Sequence, residues 1–392
     1  MHASDLTLLL IGALILYTWV VFPLLAGWLG RKPRPARRGA AQPGGLPRVA
    51  ILLSAYNEEN HIGDRIRNLL ELDYPDTHWR ALIGIDGCRD LTAAEAFAAA
   101  QGHANIAVLD FPQNRGKMAV LKDLVAAAGD DSDILVFTDA NTEFARDALR
   151  LLCAPFDDPA VGGVCGKLSL VATPGLKTEE GAYWRLETWL KTRESAIDSC
   201  LGANGAIYAI RRELFWKDIP ANTIIDDFVI AMKVREQNYS VIYEPAAVAY
   251  EDLPPQVKDE WRRRVRIGAG NFQALQLCRA CLSPAFGRFA WMFWSHKVLR
   301  WFTPHLILGG SLLAALSFFR SGSSLAGAVM AVAGAAGLTA SIGHAADPKR
   351  HPVLRFPRRI GYFLTMQLAL LAGFCRYFQG NLEGRWERTA RD

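Results

Sequence analysis

From Leu6 to Leu29 the chain runs without a single charged side chain. As an α-helix, that length crosses the ~30 Å hydrocarbon core of a bilayer, where only helices and closed barrels satisfy their backbone polar groups. Met1–Asp5 carries no base, whereas Arg31, Lys32, Arg34, Arg37 and Arg38 follow the run at once. A cleaved leader has the reverse order, with bases before a shorter apolar core. Segment 1–30 therefore reads as an uncleaved anchor, N-terminus outside and Arg31 inside. A basic Pro/Gly linker, 31–46, follows it. Three later apolar stretches, Phe302–Phe319, Leu325–His344 and Ile360–Phe378, predict about three membrane helices within 301–380. The basic loop Lys349–Arg359 belongs on the inner side. That places the charged tail 381–392 outside, although Arg376, Arg385, Arg388 and Arg391 favour the inside. The side of the C-terminus stays open at this level.

Between these stretches, 47–255 alternates short apolar runs with helical patterns. Val49–Ser54, Ala81–Ile85, Asn105–Leu109 and Asp133–Thr138 read as strands. Glu59–Leu72, Thr92–Gln101 and Lys117–Ala128 read as the helices between them. The alternation predicts an α/β domain with a mostly parallel sheet and helices on both faces. Ligands of such sheets bind beyond the carboxyl ends of the strands. The residues standing there are Ala55-Tyr56-Asn57-Glu58-Glu59, Asp86-Gly87 and Asp139-Ala140-Asn141. The sequence contains neither Gly-x-Gly-x-x-Gly nor a Walker loop, which speaks against a Rossmann dinucleotide site or a P-loop. Without a glycine nest, a diphosphate at this rim needs a cation. A hard ion, Mg2+ or Mn2+, held by the Asp139 carboxylate and the Asn141 amide oxygen meets that need.

The chain is 51% apolar with a net charge of +5. The bases gather beside the apolar stretches, which points to lipid headgroups and away from nucleic acid. Seven scattered cysteines suit reduced thiols. Cys278 and Cys281 form one CxxC with no second pair to complete a zinc site.

With these residues in this order, the chain from Val49 to its last membrane stretch resembles the membrane-bound inverting glycosyltransferases of family 2. That group includes cellulose, chitin, hyaluronan and poly-N-acetylglucosamine synthases and lipid-linked sugar transferases. The resemblance implies a GT-A-type nucleotide-sugar-binding domain. Ser54-Ala55-Tyr56-Asn57-Glu58 stands at the family's nucleotide-holding turn, with Ser54 in place of proline, and assigns Ala55, Tyr56 and Glu58 to the donor. Asp86 matches the aspartate that contacts the base. Asp139-Ala140-Asn141 matches the Asp-x-Asp metal motif, with Asn141 for the second carboxylate. Asn114-Arg115-Gly116-Lys117 is similar to the Gly-Lys helix start, which puts Lys117 near the donor.

On the acceptor side, Gly202-Ala203-Asn204-Gly205 stands where the family receives its acceptor, implicating Asn204 and Gly205. Ile225-Asp226-Asp227-Phe228 resembles the family's acidic pair, with Asp227 as general base and Asp226 beside it. Inversion at the anomeric carbon requires such a base for the acceptor hydroxyl. The departing diphosphate requires positive charge instead. Trp261-Arg262-Arg263-Arg264-Val265 is similar to the membrane-surface Gln-x-x-Arg-Trp motif. Arg264 is then the arginine for the diphosphate, Trp261 stands at the Gln position beside the acceptor, and Val265 replaces the aromatic. Segment 256–300 reads as interfacial amphipathic helices, with Trp261, Phe272 and Leu275 on the apolar face.

The implied function is transfer from a nucleoside-diphosphate sugar, a UDP-sugar first, to a lipid-linked or glycan acceptor. The expected location is the bacterial inner membrane, with the catalytic domain cytoplasmic. The missing aromatic at Val265 favours adding one or a few sugars over processive synthesis. An inactive membrane scaffold is a third reading, against which Asp86, Asp139, Asp227 and Arg264 speak. The sugar, the linkage and the oligomeric state are not written in these motifs.

Overall fold

The computed structural model describes residues 3–32, 45–171, 180–252, 257–345 and 355–380. Most of the basic linker, the start of the basic loop at Lys349 and the tail 381–392 lie outside the described residues. The chain opens with α1 (Ala3–Leu16) and α2 (Phe22–Leu29), joined through a π-helical turn at Tyr17–Val21. Pro23 sits in the first turn of α2. It has no N–H for the carbonyl four residues back, and its ring crowds that carbonyl. The widened turn just before it absorbs both effects.

The catalytic half follows the expected alternation: β1 (Val49–Ala55), α3 (Ile62–Leu70), β2 (Trp79–Asp86), α4 (Thr92–Ala100), β3 (Ile106–Phe111), α5 (Lys117–Ala128) and β4 (Ile134–Thr138). Helix α3 starts at Ile62 rather than Glu59, because Asn57 takes a left-handed φ of 54° and turns the chain first. Beyond β4 come β5 (Thr142–Phe144), α6 (Ala148–Cys153), β6 (Val161–Val171), α7 (Glu180–Ile197), β7 (Tyr208–Arg211), α8 (Asp226–Glu236) and β8 (Ser240–Asp252). The eight strands form one sheet in the order β3-β2-β1-β4-β7-β6-β8-β5. It is parallel from β3 through β4, and again between β6 and β8. It is antiparallel where β7 and β5 pair.

Side chains alternate across the central strands, so each strand feeds two cores. Ala50, Leu52, Leu82, Leu135 and Phe137 pack on one face. Val49, Ile51, Leu53, Ile83, Ile134 and Val136 pack on the other, beneath α3, α4 and α6. The first core also takes in Phe22, Ala26, Phe289, Phe293 and Trp301. The membrane-proximal helices and the sheet thus share one apolar interior.

After α9 (Val257–Leu277) come α10 (Arg288–Met292), a second π-helical turn at Phe293–Val298, α11 (Leu299–Ser321), α12 (Ser324–Ala345) and α13 (Arg355–Phe378). A buried ionic cluster ties this region to α7. His296 bridges Glu194 and Glu187, and Glu187 also pairs with Lys297 (3.0 Å) and Arg300.

Among the described residues, three helical stretches are long and apolar enough to cross a membrane: Ala3–Leu29, Arg288–Ser321 and Ser324–Ile342. Helix α13, expected from its sequence to be a span, is not among them. It carries Arg358, Arg359, Gln367 and Arg376, and it lies against α9. Gly268 lets the two backbones meet, since a methyl there would stand 3.3 Å from Ala369 O. Helix α13 packs on α9 and also on α12.

Candidate active site

Strand β1 lies between β2 and β4, and their carboxyl ends bring three polar turns to one rim. The first two are latched together. Asn57 donates its N–H to Cys88 Sγ (3.1 Å), and its side-chain oxygen accepts from Arg89 N (2.9 Å). Glu58 N donates to Thr92 Oγ1 (2.7 Å), and Glu59 Oε2 accepts from Leu91 N (3.0 Å). Ala55 is buried beneath this unit, while Tyr56 and Glu58 remain half-buried at its edge.

Asp86, at the end of β2, holds the neighbouring loop. It is fully buried, and its two oxygens accept from Arg115 N and Gly116 N, both at 2.8 Å. Hydrogen bonds to a charged acceptor contribute about 1.5–3 kcal/mol each. Asp86 therefore shapes the loop that launches Lys117. Gly87, with a φ of 61°, permits that loop to sit directly against it.

Lys117 opens α5 and is buried with its ammonium 2.7 Å from Asp139 Oδ1 and 3.4 Å from Asp226 Oδ2. Burial alone would lower its pKa, but Asp139 and Asp226 hold it above the ordinary lysine value. Asp226 is pushed up to about 6 by burial, against the pull of Lys117 and with the repulsion of Asp227 and Asp139. The pair at the start of α8 is therefore unequal. Asp226 is buried behind Lys117, whereas Asp227 is half-buried and faces the acceptor loop.

Gly205 marks the meeting point. A methyl on it would stand 3.3 Å from Asp139 Oδ2, 3.5 Å from Asp227 Oδ2 and 3.7 Å from Lys117 Nζ. Asn204 beside it is buried and donates to Gly166 O (2.9 Å), which anchors the loop. Gly205→Ala should lower turnover by about 10²-fold, the cost of a small misplacement at reacting groups, with an unchanged melting temperature. Steady-state kinetics beside a thermal melt would check this; near-wild-type turnover would place the reaction elsewhere.

Several side chains that the motifs did not reveal complete the site. Arg65 of α3 is buried among apolar neighbours and donates to Thr138 Oγ1 (2.9 Å), directly before Asp139. Its burial lowers its pKa to about 9, with Glu143 and Asp139 opposing. Lys191 of α7 donates to Gly202 O (3.1 Å) beneath the acceptor loop. Arg65 is a lone charge among Ile62, Ile66 and Leu69, and that oddity was the available signal; Lys191 shares its buried face of α7 with Glu187 and Glu194. Asn141 donates its amide N–H to Glu251 Oε1 (3.0 Å) at the end of β8.

On α9, Arg264 and Arg266 have different surroundings. Arg264 reaches Tyr362 OH on α13 at 3.4 Å. Arg266 lies within electrostatic reach of the site: burial and Arg263 lower its pKa, while Asp226, Asp139 and Asp227 raise it. One helical turn carries side chains only at certain spacings to the same face, so neighbouring arginines part company. Trp261 is exposed at the start of the described part of the helix face, and the residue after Arg266 is Ile267.

The donors present are hard oxygens: Asp139 Oδ2, the Asn141 amide oxygen and nearby carboxylates. They fit a divalent cation that completes its shell with phosphate oxygens. Among the described residues, no group of three or more His, Cys, Asp or Glu stands ready to hold a metal unaided.

A mostly parallel sheet with helices on both faces, and Asp139, Lys117 and Asp227 gathered at its rim, is the architecture of a nucleotide-sugar-binding fold of the GT-A type. Residues 50–217 match the model of glycosyl transferase family 2, and 134–340 match that of glycosyl transferase family group 2. The chain belongs to the family 2 glycosyltransferases. It is 23% identical over 238 residues to poly-beta-1,6-N-acetyl-D-glucosamine synthase of Staphylococcus epidermidis, covering 58% of this chain and 55% of that one. The Staphylococcus aureus enzyme of the same name is 25% identical over 236 residues, covering 59% and 56%. The chain thus spans about half the length of the curated relatives it matches. A solved mannosyltransferase from Pyrobaculum calidifontis, in complex with GDP-Man and Mn2+, superposes with a TM-score of 0.71 at 22% identity. That superposition covers 96% of this chain and 99% of the other, and it shows a shared fold.

Proposed function

We propose that this chain is an inverting, divalent-metal-dependent glycosyltransferase. It would move a sugar from a nucleoside-diphosphate sugar to a lipid-linked or glycan acceptor at a bacterial inner membrane. The observation that carries the reading is the convergence of Asp139, Asp227 and Lys117 on the space before Gly205. Asp227 takes the proton of the acceptor hydroxyl as its oxygen bonds the anomeric carbon. The bond from that carbon to the diphosphate breaks, and the diphosphate leaves with the electron pair. Lys117 and Arg266 supply positive charge around it. A metal ion, held by Asp139 and Asn141, would supply further charge to the diphosphate when bound. Asp86 and Arg65 act from behind by fixing the two loops.

The basic residues flanking the apolar stretches put the catalytic domain on the cytoplasmic side.

Neither arginine of α9 near the site is followed by an aromatic ring: Val265 follows Arg264 and Ile267 follows Arg266. Sugars stack on aromatic faces, so the expected products are short, one or a few sugars per acceptor. Purified protein should be offered UDP- and GDP-sugars with lipid-linked acceptors in large excess. The expected result is a ladder that lengthens with the enzyme-to-acceptor ratio. Long polymer from the outset, with most acceptor untouched, would favour the processive activity named for the staphylococcal relatives. No transfer with any donor would sink the proposal.

A further inference from the structure

Asn141 is neutral where a second metal-binding carboxylate is expected, and Asp139 already pairs with Lys117 at 2.7 Å. Read alone, Asp139-Ala140-Asn141 brings little negative charge to a divalent ion. The tertiary structure changes this balance. Strand β5 pairs antiparallel with β8, and Thr142 stands opposite Glu251. That register places the Glu251 side chain beside the preceding loop, where Oε1 accepts from Asn141 Nδ2 at 3.0 Å. The bond also orients the amide, committing its nitrogen to Glu251 and leaving its oxygen as the donor for a cation.

We propose that Glu251 is a metal ligand, supplying the anionic oxygen that Asn141 lacks, so that Asp139, Asn141 and Glu251 together hold the divalent ion of the donor complex. The inference rests on the metal-dependent reading above. The two residues are matched to each other. Two carboxylates about 3 Å apart repel strongly unless a cation or proton lies between them. An amide beside a carboxylate gives the site a hydrogen bond in the empty state and one anionic oxygen for the ion. Hard cations are tuned by the count of charged oxygens, so the pair keeps the charge of the expected motif while dividing it between distant segments of chain.

The test is Mn2+ binding by the full-length protein in detergent, read from the paramagnetic resonance of the free ion, with UDP or GDP present. Glu251→Gln keeps an acceptor oxygen for Asn141, so the melting temperature should not move. Mn2+ binding should weaken at least about tenfold, since even partners outside the ligand shell commonly contribute 10–100-fold. The same change in an Asn141→Asp background should again weaken binding. The charge-swapped double variant Asn141→Asp/Glu251→Gln should return to within about threefold of wild type. If Glu251→Gln holds Mn2+ as tightly as wild type in both backgrounds, Glu251 is a structural partner only and the inference falls, with the transferase reading intact. If the wild-type protein retains no Mn2+ with either nucleotide, the metal dependence falls and the ligand role falls with it.

Discussion

Replacing Asp227 by Asn should lower transfer by about 10²–10⁴-fold while leaving donor affinity close to wild type, the range that a positioned general base contributes. Asp227 is suited to that role by contrast with its neighbour. Asp226 lies behind Lys117, its pKa pushed up to about 6. Asp227 Oδ2 instead faces the space before Gly205, and its other oxygen accepts from Phe228 N (2.8 Å). The following Phe228 packs against Phe293 and Trp301, with centroids 6.1 Å and 5.7 Å away. The membrane-proximal helices therefore hold the base in place, and Asn at 227 should not disturb that packing. Single-turnover transfer beside a nucleotide-binding titration separates the two effects. A variant keeping more than about a tenth of wild-type transfer would show that another group accepts the proton.

Removing divalent ions should have an effect of similar size. Full chelation is expected to reduce turnover at least ~10²-fold, the scale for withdrawing preorganised charge from where negative charge develops. Mn2+ or Mg2+ should restore it. Lys117 and Arg266 supply positive charge that no chelator can remove, and they set the floor of residual activity. Turnover in excess chelator equal to that with added metal would mean these two cations suffice, and the metal reading would be withdrawn.

The parallel half of the sheet was legible in the sequence because its strands are buried on both faces. Val49–Leu53 and Ile134–Phe137 are apolar throughout, and the polar residue that follows each run marks the rim. Asp86 and Asp139 were legible for the same reason, and Asp227 by the resemblance of its helix start to the family's acidic pair. What each carboxylate touches was not. Asp86 faces inward to backbone N–H groups, and Asn204 anchors a loop. A strand-end Asp looks the same on paper whether it binds a ligand or caps a turn.

The amino-acid sequence by itself determined that this chain has an α/β catalytic domain beside apolar helices, with its polar chemistry at strand ends. Local periodicity dictates those features, and it survives without knowing any partner. Tertiary structure alone decided three things: that Arg266 comes within electrostatic reach of the carboxylates, that α13 lies on α9, and that Glu251 stands beside Asn141. Each depends on the angle or register between segments distant in sequence. Those are set by packing such as Gly268 against α13 and by the β5–β8 register, which no local pattern records.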